Sequence, residues 1–156
     1  MNYWLVKTEP NDFSIDDLKS RRKEPWTGVR NYQARNNLRA MEVGDLVLIY
    51  HSSADLVGIA GVGEVLKARL PDPTQFDKTS KYYDLKRTKE YPRWVAPIIG
   101  FQEKFSEIIP LKILRSEKKL AGLETLRTGS RLSVQPVKKE HYNYIIKLAQ
   151  KQVKKP

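Results

Sequence analysis

Apolar and polar positions alternate from Tyr3 to Lys7 around Trp4 and Val6, the period of a half-buried strand, and Pro10 ends it. Ser14 followed by Asp17 reads as the N-cap of a short helix from Ile15 to about Arg21, with Ile15 and Leu18 on its apolar side. The charged run SRRKEP then releases the chain into a loop at Trp26. Asn31 is a preferred N-cap, so Tyr32 to Ala40 reads as a second helix. Ala34, Leu38 and Met41 form its narrow apolar stripe, while Tyr32, Arg35, Asn36 and Arg39 recur on the other face. Gly44 and Asp45 turn the chain into Leu46 to Tyr50, a continuous apolar run of the kind buried on both sides. Gly58 to Val65 is a glycine-interrupted strand, and glycine there marks a bulge or a close backbone approach.

The longest aperiodic stretch runs from Leu70 to Tyr91, punctuated by Pro71, Pro73 and Pro92 and carrying Lys81, Tyr82, Tyr83, Lys86 and Arg87. Long loops of this kind in small domains carry function or move. Strand spacing returns over Trp94 to Phe101 and Lys104 to Ser106. Pro110 to Leu114, with Leu120 and Leu123, read as short helical pieces. Arg131 to Val137 is a late strand, and His141 to Ala149 a last helix with the stripe Tyr142, Ile145, Ile146 and Ala149. Strands and helices do not alternate regularly, which predicts an α+β fold with a small curved or closed sheet, not a doubly wound one.

A chain of 156 residues predicts one domain, placed at 1–150, with a basic tail at 151–156. Without cysteine, disulfides, thiolate chemistry and cysteine-ligated zinc are excluded. No apolar signal region or membrane-spanning run is visible, so a soluble, cytoplasmic protein is expected. The net charge of +11 and pI near 9.8 favour polyanionic partners. Part of that excess sits in KLAQKQVKKP, which reads as a solvated end ahead of a binding arm.

Catalysis would need a nucleophile with a base, paired carboxylates or a metal cluster. The two histidines, His51 and His141, lie in no metal-type spacing. Asp72, Asp77 and Asp84 share one loop without a spacing that requires convergence, and surface charge is the expected reading. His51 and Ser52 end a strand, which delivers them to a site or to water. No catalytic residue, metal ligand or cofactor is therefore assigned.

Candidate binding chemistry concentrates in WTGVRNYQARNNLR, Trp26 to Arg39, which is poor core material. Gly28 supplies backbone freedom for a tight entry loop. Trp26 beside the first backbone amides of the helix is a plausible platform for a flat or anionic ligand, though plain core is an equal reading of that indole. Arg30, Arg35 and Arg39 offer a phosphate-facing surface.

With YWLVKTEP at the start, GDLVLIYHSS, FDKTSKYYDLKR, PRW and the late RLSVQPV, this stretch resembles the EVE domain family in order and spacing. That family includes the thymocyte nuclear protein family and bacterial relatives, and is similar in fold to other PUA-like domains, among them the YTH readers of methylated adenine. The resemblance implies a PUA-like β pseudo-barrel with short peripheral helices, and a loop from Leu70 to Tyr91 passing over a pocket. It also implies a cage-wall role for Trp26 and a polar base contact for Asn31. The implied function is a non-catalytic nucleic-acid-binding module that takes a flipped, modified base from DNA or RNA. Trp26, Val29, Asn31, Tyr32, Ser52, Tyr83 and Trp94 are its candidate base-binding residues; Arg30, Arg35, Arg39 and Lys81 its phosphate contacts. Where relatives usually carry proline and serine after the YYD tract, this chain has Leu85 and Arg87, and Lys138 stands in place of a capping serine. Two other classes compete: an enzyme acting on a nucleotide or modified base, motivated by His51 and Asp84, and a basic scaffold for an acidic protein, motivated by charge alone.

Overall fold

The computed structural model describes residues 1–85 and 93–153; Lys86, Arg87, Tyr91 and Pro92 of the long loop, and the last three tail residues, lie outside the described residues. Six strands form one mixed sheet: β1 (Tyr3–Thr8), β2 (Lys23–Pro25), β3 (Leu46–His51), β4 (Gly58–Lys67), β5 (Ile98–Pro110) and β6 (Val134–Val137), in the order β2-β5-β4-β3-β1-β6. Among the described residues only β1 and β3 pair in parallel, from Tyr3↔Leu46 to Thr8↔His51, so their C-terminal ends lie side by side. The other pairings are antiparallel.

Register shifts along β3–β4 and β4–β5 curl the sheet. Glycine makes the tightest of these contacts possible: a Cβ on Gly58 would lie 2.1 Å from the Ile109 carbonyl oxygen, and one on Gly61 2.3 Å from that of Glu103. The curled sheet with short helices around it is the expected α+β pseudo-barrel.

The sheet has a core on each face. Trp4 and Val6 of β1 point into a cluster with Ile15, Leu18, Trp26, Ala34, Leu38 and Ile49; Leu5 points the other way, among Leu48, Ile59, Leu114 and Ile145. That alternation is the period-two pattern read from the sequence. Among the described residues four α-helices cover these faces: α1 (Ile15–Arg21), α2 (Tyr32–Ala40), α3 (Leu111–Ser116) and α4 (Lys139–Val153). The first begins with the predicted capping box, Ser14 and Asp17 each bonding the other's backbone. Helix α4 is longer than expected and runs into the residues assigned to the tail.

Three expectations change. The charged run SRRKEP contains β2, a three-residue edge strand on β5 that is too short and too exposed to show a period. The two strands expected between Trp94 and Ser106 are one, β5, whose exposed polar middle at Gln102–Lys104 hid its continuity. Trp94 itself precedes that strand, next to an isolated bridge between Pro71 and Val95. Among the described residues no helix is long and apolar enough to cross a membrane.

Candidate nucleic-acid interface

The loop from Trp26 to Asn31 is held at its start by Trp26 N, which donates to the Pro97 carbonyl at 2.9 Å. At its centre Gly28, with φ +84°, turns its N–H onto Asp72 Oδ2 at 2.8 Å. Arg30 closes the same contact: Nη1 donates to Asp72 Oδ2 at 3.0 Å, Nη2 to Thr74 Oγ1 at 2.9 Å, and Nε and Nη2 both donate to the Tyr82 carbonyl. The other carboxylate oxygen, Asp72 Oδ1, accepts from Thr74 N and Oγ1.

Asp72 is therefore no surface charge: it is wholly buried and receives four donors from two loops. Burying it is tolerable only because a cation and backbone N–H groups saturate its oxygens. Arg30, expected on phosphates, is half-buried with its donors engaged within the protein. Asp84 is likewise taken up, accepting from Trp94 Nε1 at 2.7 Å and Arg93 Nε at 2.8 Å, whereas Asp77 is exposed as expected.

Two aromatic centres flank this tie. In the first, Trp26 is 7% exposed, sits with Val29 in the core cluster, and meets Phe13 edge-on at 5.8 Å. The Phe13 carbonyl accepts from Thr8 Oγ1 and the Thr8 carbonyl from Ser52 N, so Ser52 follows directly on the paired ends of β1 and β3. Asn31 is exposed and caps α2, its Oδ1 accepting from Ala34 N at 2.9 Å.

In the second, Tyr32 stacks on Trp94 with ring centres 5.1 Å apart and 27° between planes. Guanidinium groups surround the pair. Arg30 lies 5.1 Å from the Trp94 ring, Arg93 5.6 Å and Arg35 5.7 Å, and Arg35 lies 4.8 Å from Tyr32. Arg35 and Arg39 both donate to the Arg93 carbonyl. Burial, with the neighbouring Arg39 and Arg93 charges, lowers the pKa of Arg35, against the pull of Tyr32. Exposed Lys81 lies over the Tyr82 ring at 5.1 Å, and Tyr83 is half-buried. Trp26 and Trp94, both named as candidate base-binding residues, thus belong to two separate ring pairs joined by the Trp26–Asn31 loop.

His51 has a different task. Its Nε2 accepts from Ile15 N at 3.1 Å, which caps α1 and requires a neutral ring, and burial lowers its pKa, opposed by Asp16 and assisted by Lys104. His51 and Asp84, paired in the enzyme reading, bond to separate elements. Among the described residues no group of three or more histidines and carboxylates converges as for a metal ion.

Sequence reasoning missed Asp72, Gln75, Arg93 and Phe13. Asp72-Pro73 is a legible N-cap followed by proline, and it does open a 3-10 turn at Pro73–Phe76. Gln75, fully buried, donates to the Asp72 and Trp94 carbonyls and accepts from Trp94 N; nothing local marks such a residue. Lys7, the one charged residue of β1, reaches the Ser130 carbonyl at 3.2 Å, with its pKa lowered by burial against the opposing charge of Glu124.

The EVE domain family profile matches residues 2–148. Thymocyte nuclear protein 1 of Mus musculus is 39% identical over 165 aligned residues, which span 94% of this chain and 73% of the relative. Among solved structures, a hypothetical protein from Leishmania major superposes with a TM-score of 0.93 at 45% identity, covering 99% of this chain and 98% of that one. Human THYN1 in complex with 5-methylcytosine containing DNA superposes with a TM-score of 0.90 at 35% identity, covering 100% of both chains. The curled sheet is accordingly a PUA-like pseudo-barrel, and this chain belongs to the EVE domain family.

Proposed function

We propose that this chain is a non-catalytic nucleic-acid-binding module that accepts an extruded, modified base, with 5-methylcytosine in DNA the first ligand to test. The observation that carries the reading is the complex of human THYN1 with 5-methylcytosine containing DNA, a relative alike over the whole chain. The basic, aromatic surface around α2 supports it. In this reading Trp26 and Val29 give the base its apolar walls, Asn31 and Ser52 supply edge contacts, and Tyr32, Tyr83 and Trp94 line the approach. Arg35, Arg39 and Lys81 meet phosphates, while Arg30 adds its charge to the field and holds the loop. Because Trp26 shows only 7% of its surface, the base must displace what covers the indole, and half-buried Phe13 is in position to move. A cytoplasmic location belongs to the same proposal and rests on the sequence expectation alone.

Extrusion costs a few kcal/mol, and stacking returns about 1–3 kcal/mol per base, so phosphate contacts tip the balance. Burying one methyl is worth about 0.8 kcal/mol, or roughly fourfold in affinity. Stronger preference therefore needs a void or an unmet donor around the plain base.

The test is competition between short oligonucleotides carrying plain and modified cytosines and adenines, for wild type and Trp26→Ala. The variant is expected to keep its circular dichroism and lose the preference for the modified strand. An unchanged preference would remove Trp26 from the site, and a modified nucleotide converted to product in mass spectrometry would return the enzyme reading.

A further inference from the structure

Tyr32 keeps 51% of its surface exposed although its ring stacks on Trp94, which is itself 4% exposed. A large ring at a helix start is thus left open to solvent on a buried indole base. Around it the cations crowd. The side chains of Arg35 and Arg39 converge on one acceptor, the Arg93 carbonyl, and the guanidinium groups of Arg35 and Arg93 lie 4.8 and 5.8 Å from the Tyr32 ring. Among the described residues no carboxylate lies within ion-pair distance of Arg35, whose donors go to Asn36 Oδ1 and the Arg93 carbonyl. Asp84 is already engaged by Trp94 and Arg93. Like charges held together cost free energy in the unliganded protein, and a phosphodiester relieves that cost. An open ring beside guanidinium groups is the combination that holds an unstacked base and its backbone.

We infer that Tyr32, Trp94, Arg35 and Arg93 form an outer nucleotide subsite, distinct in its contacts from the Trp26 centre, which stacks the base next to the extruded one and binds the phosphodiester between them. The inference rests on the nucleic-acid reading above. The occupant is a nucleotide of a single or locally opened strand, because a closed duplex hides its base faces. The Trp26–Asn31 loop, tied by Asp72, sets the spacing between the two subsites.

Three probes separate the subsites: 5-methyldeoxycytidine monophosphate, a trinucleotide with that base at its centre, and the same trinucleotide without the methyl group, all measured by calorimetry. The modified trinucleotide is expected to bind about tenfold tighter than the mononucleotide, a gain equal to one stacked base. Tyr32→Ala removes the gain and Tyr32→Phe keeps it. Arg35→Gln lowers the slope of log affinity against log salt by about 0.7, one phosphate on a single strand. A full gain in Tyr32→Ala, with the wild-type salt slope in Arg35→Gln, would overturn the subsite while leaving the modified-base reading in place. A wild type that does not distinguish the two trinucleotides yet needs Tyr32 for affinity would overturn that reading and leave the subsite standing. Failure of every probe to bind would remove both.

Discussion

Asp72 and Arg30, 42 residues apart in the chain, meet at 3.0 Å with the carboxylate fully buried. Through this pair the loop that leads into α2 and the loop that follows β4 become one structure. Gly28 N, Thr74 and the Tyr82 carbonyl complete it. Removing either partner strands a buried or half-buried charge, which costs about 3–5 kcal/mol. Asp72→Ala and Arg30→Met should each lower the free energy of unfolding by that order, and the double variant by less than their sum. Urea denaturation of the four proteins measures the cycle, and additive losses would show that the pair is not the connection.

Gly28 combines two constraints that differ in origin. Its φ of +84° is unfavourable for any residue with a Cβ, at about 1–2 kcal/mol. A Cβ there would also meet the Tyr82 ring at 2.7 Å. The backbone share alone should therefore make Gly28→Ala lower Tm by about 2–8 °C, taking about 2–4 °C per kcal/mol for a chain of this length, and the contact with Tyr82 should add to that loss. Adding Tyr82→Ala should recover the contact share and none of the backbone share; full recovery in a thermal melt would show that backbone strain is unimportant.

Asn31 carries a helix cap and, in the proposed function, a base contact, and chemistry separates them. Its Oδ1 serves Ala34 N, which leaves the amide donors directed elsewhere. Asn31→Ala should cost about 1 kcal/mol of stability through the lost cap. Asn31→Ser keeps a capping oxygen without adding charge, so stability should stay near wild type while preference for the modified strand falls. A serine variant with unchanged preference would reduce Asn31 to a cap.

His51 makes stability depend on pH. Its pKa in the folded state is lowered by burial, so the folded protein resists the proton that the unfolded chain accepts near pH 6.5. The unfolded state then binds more protons, and stability rises with pH across that interval. The contribution is complete above pH 6.5 and is lost as pH falls through the lower, folded-state value. Unfolding free energies between pH 5 and pH 7.5 should decline toward acid in wild type and vary less in His51→Gln, which retains an acceptor for Ile15 N and does not titrate. Equal slopes in the two proteins would place the acid sensitivity elsewhere.

Sequence alone was enough for what depends on neighbours along the chain. The capping box at Ser14 and Asp17, the Asn31 cap, the stripe of α2 and the doubly buried β3 are local patterns, set by hydrogen-bond satisfaction within a turn and by the periods of helix and strand. The concentration of arginine and aromatic side chains between Trp26 and Arg39 was visible in the same way. What needed the tertiary structure was every charge whose partner is remote. Asp72 looked like surface charge because no spacing along its loop requires it to converge with another group, and folding brought Arg30 from 42 residues away. Trp26 and Trp94 stood together in one list of candidate base-binding residues, yet Phe13 meets one edge-on and Tyr32 stacks on the other. Residue type and spacing specify which groups can bind; only the curl of the sheet, which carries the 70–85 loop onto the start of α2, decided which of them meet and which face outward.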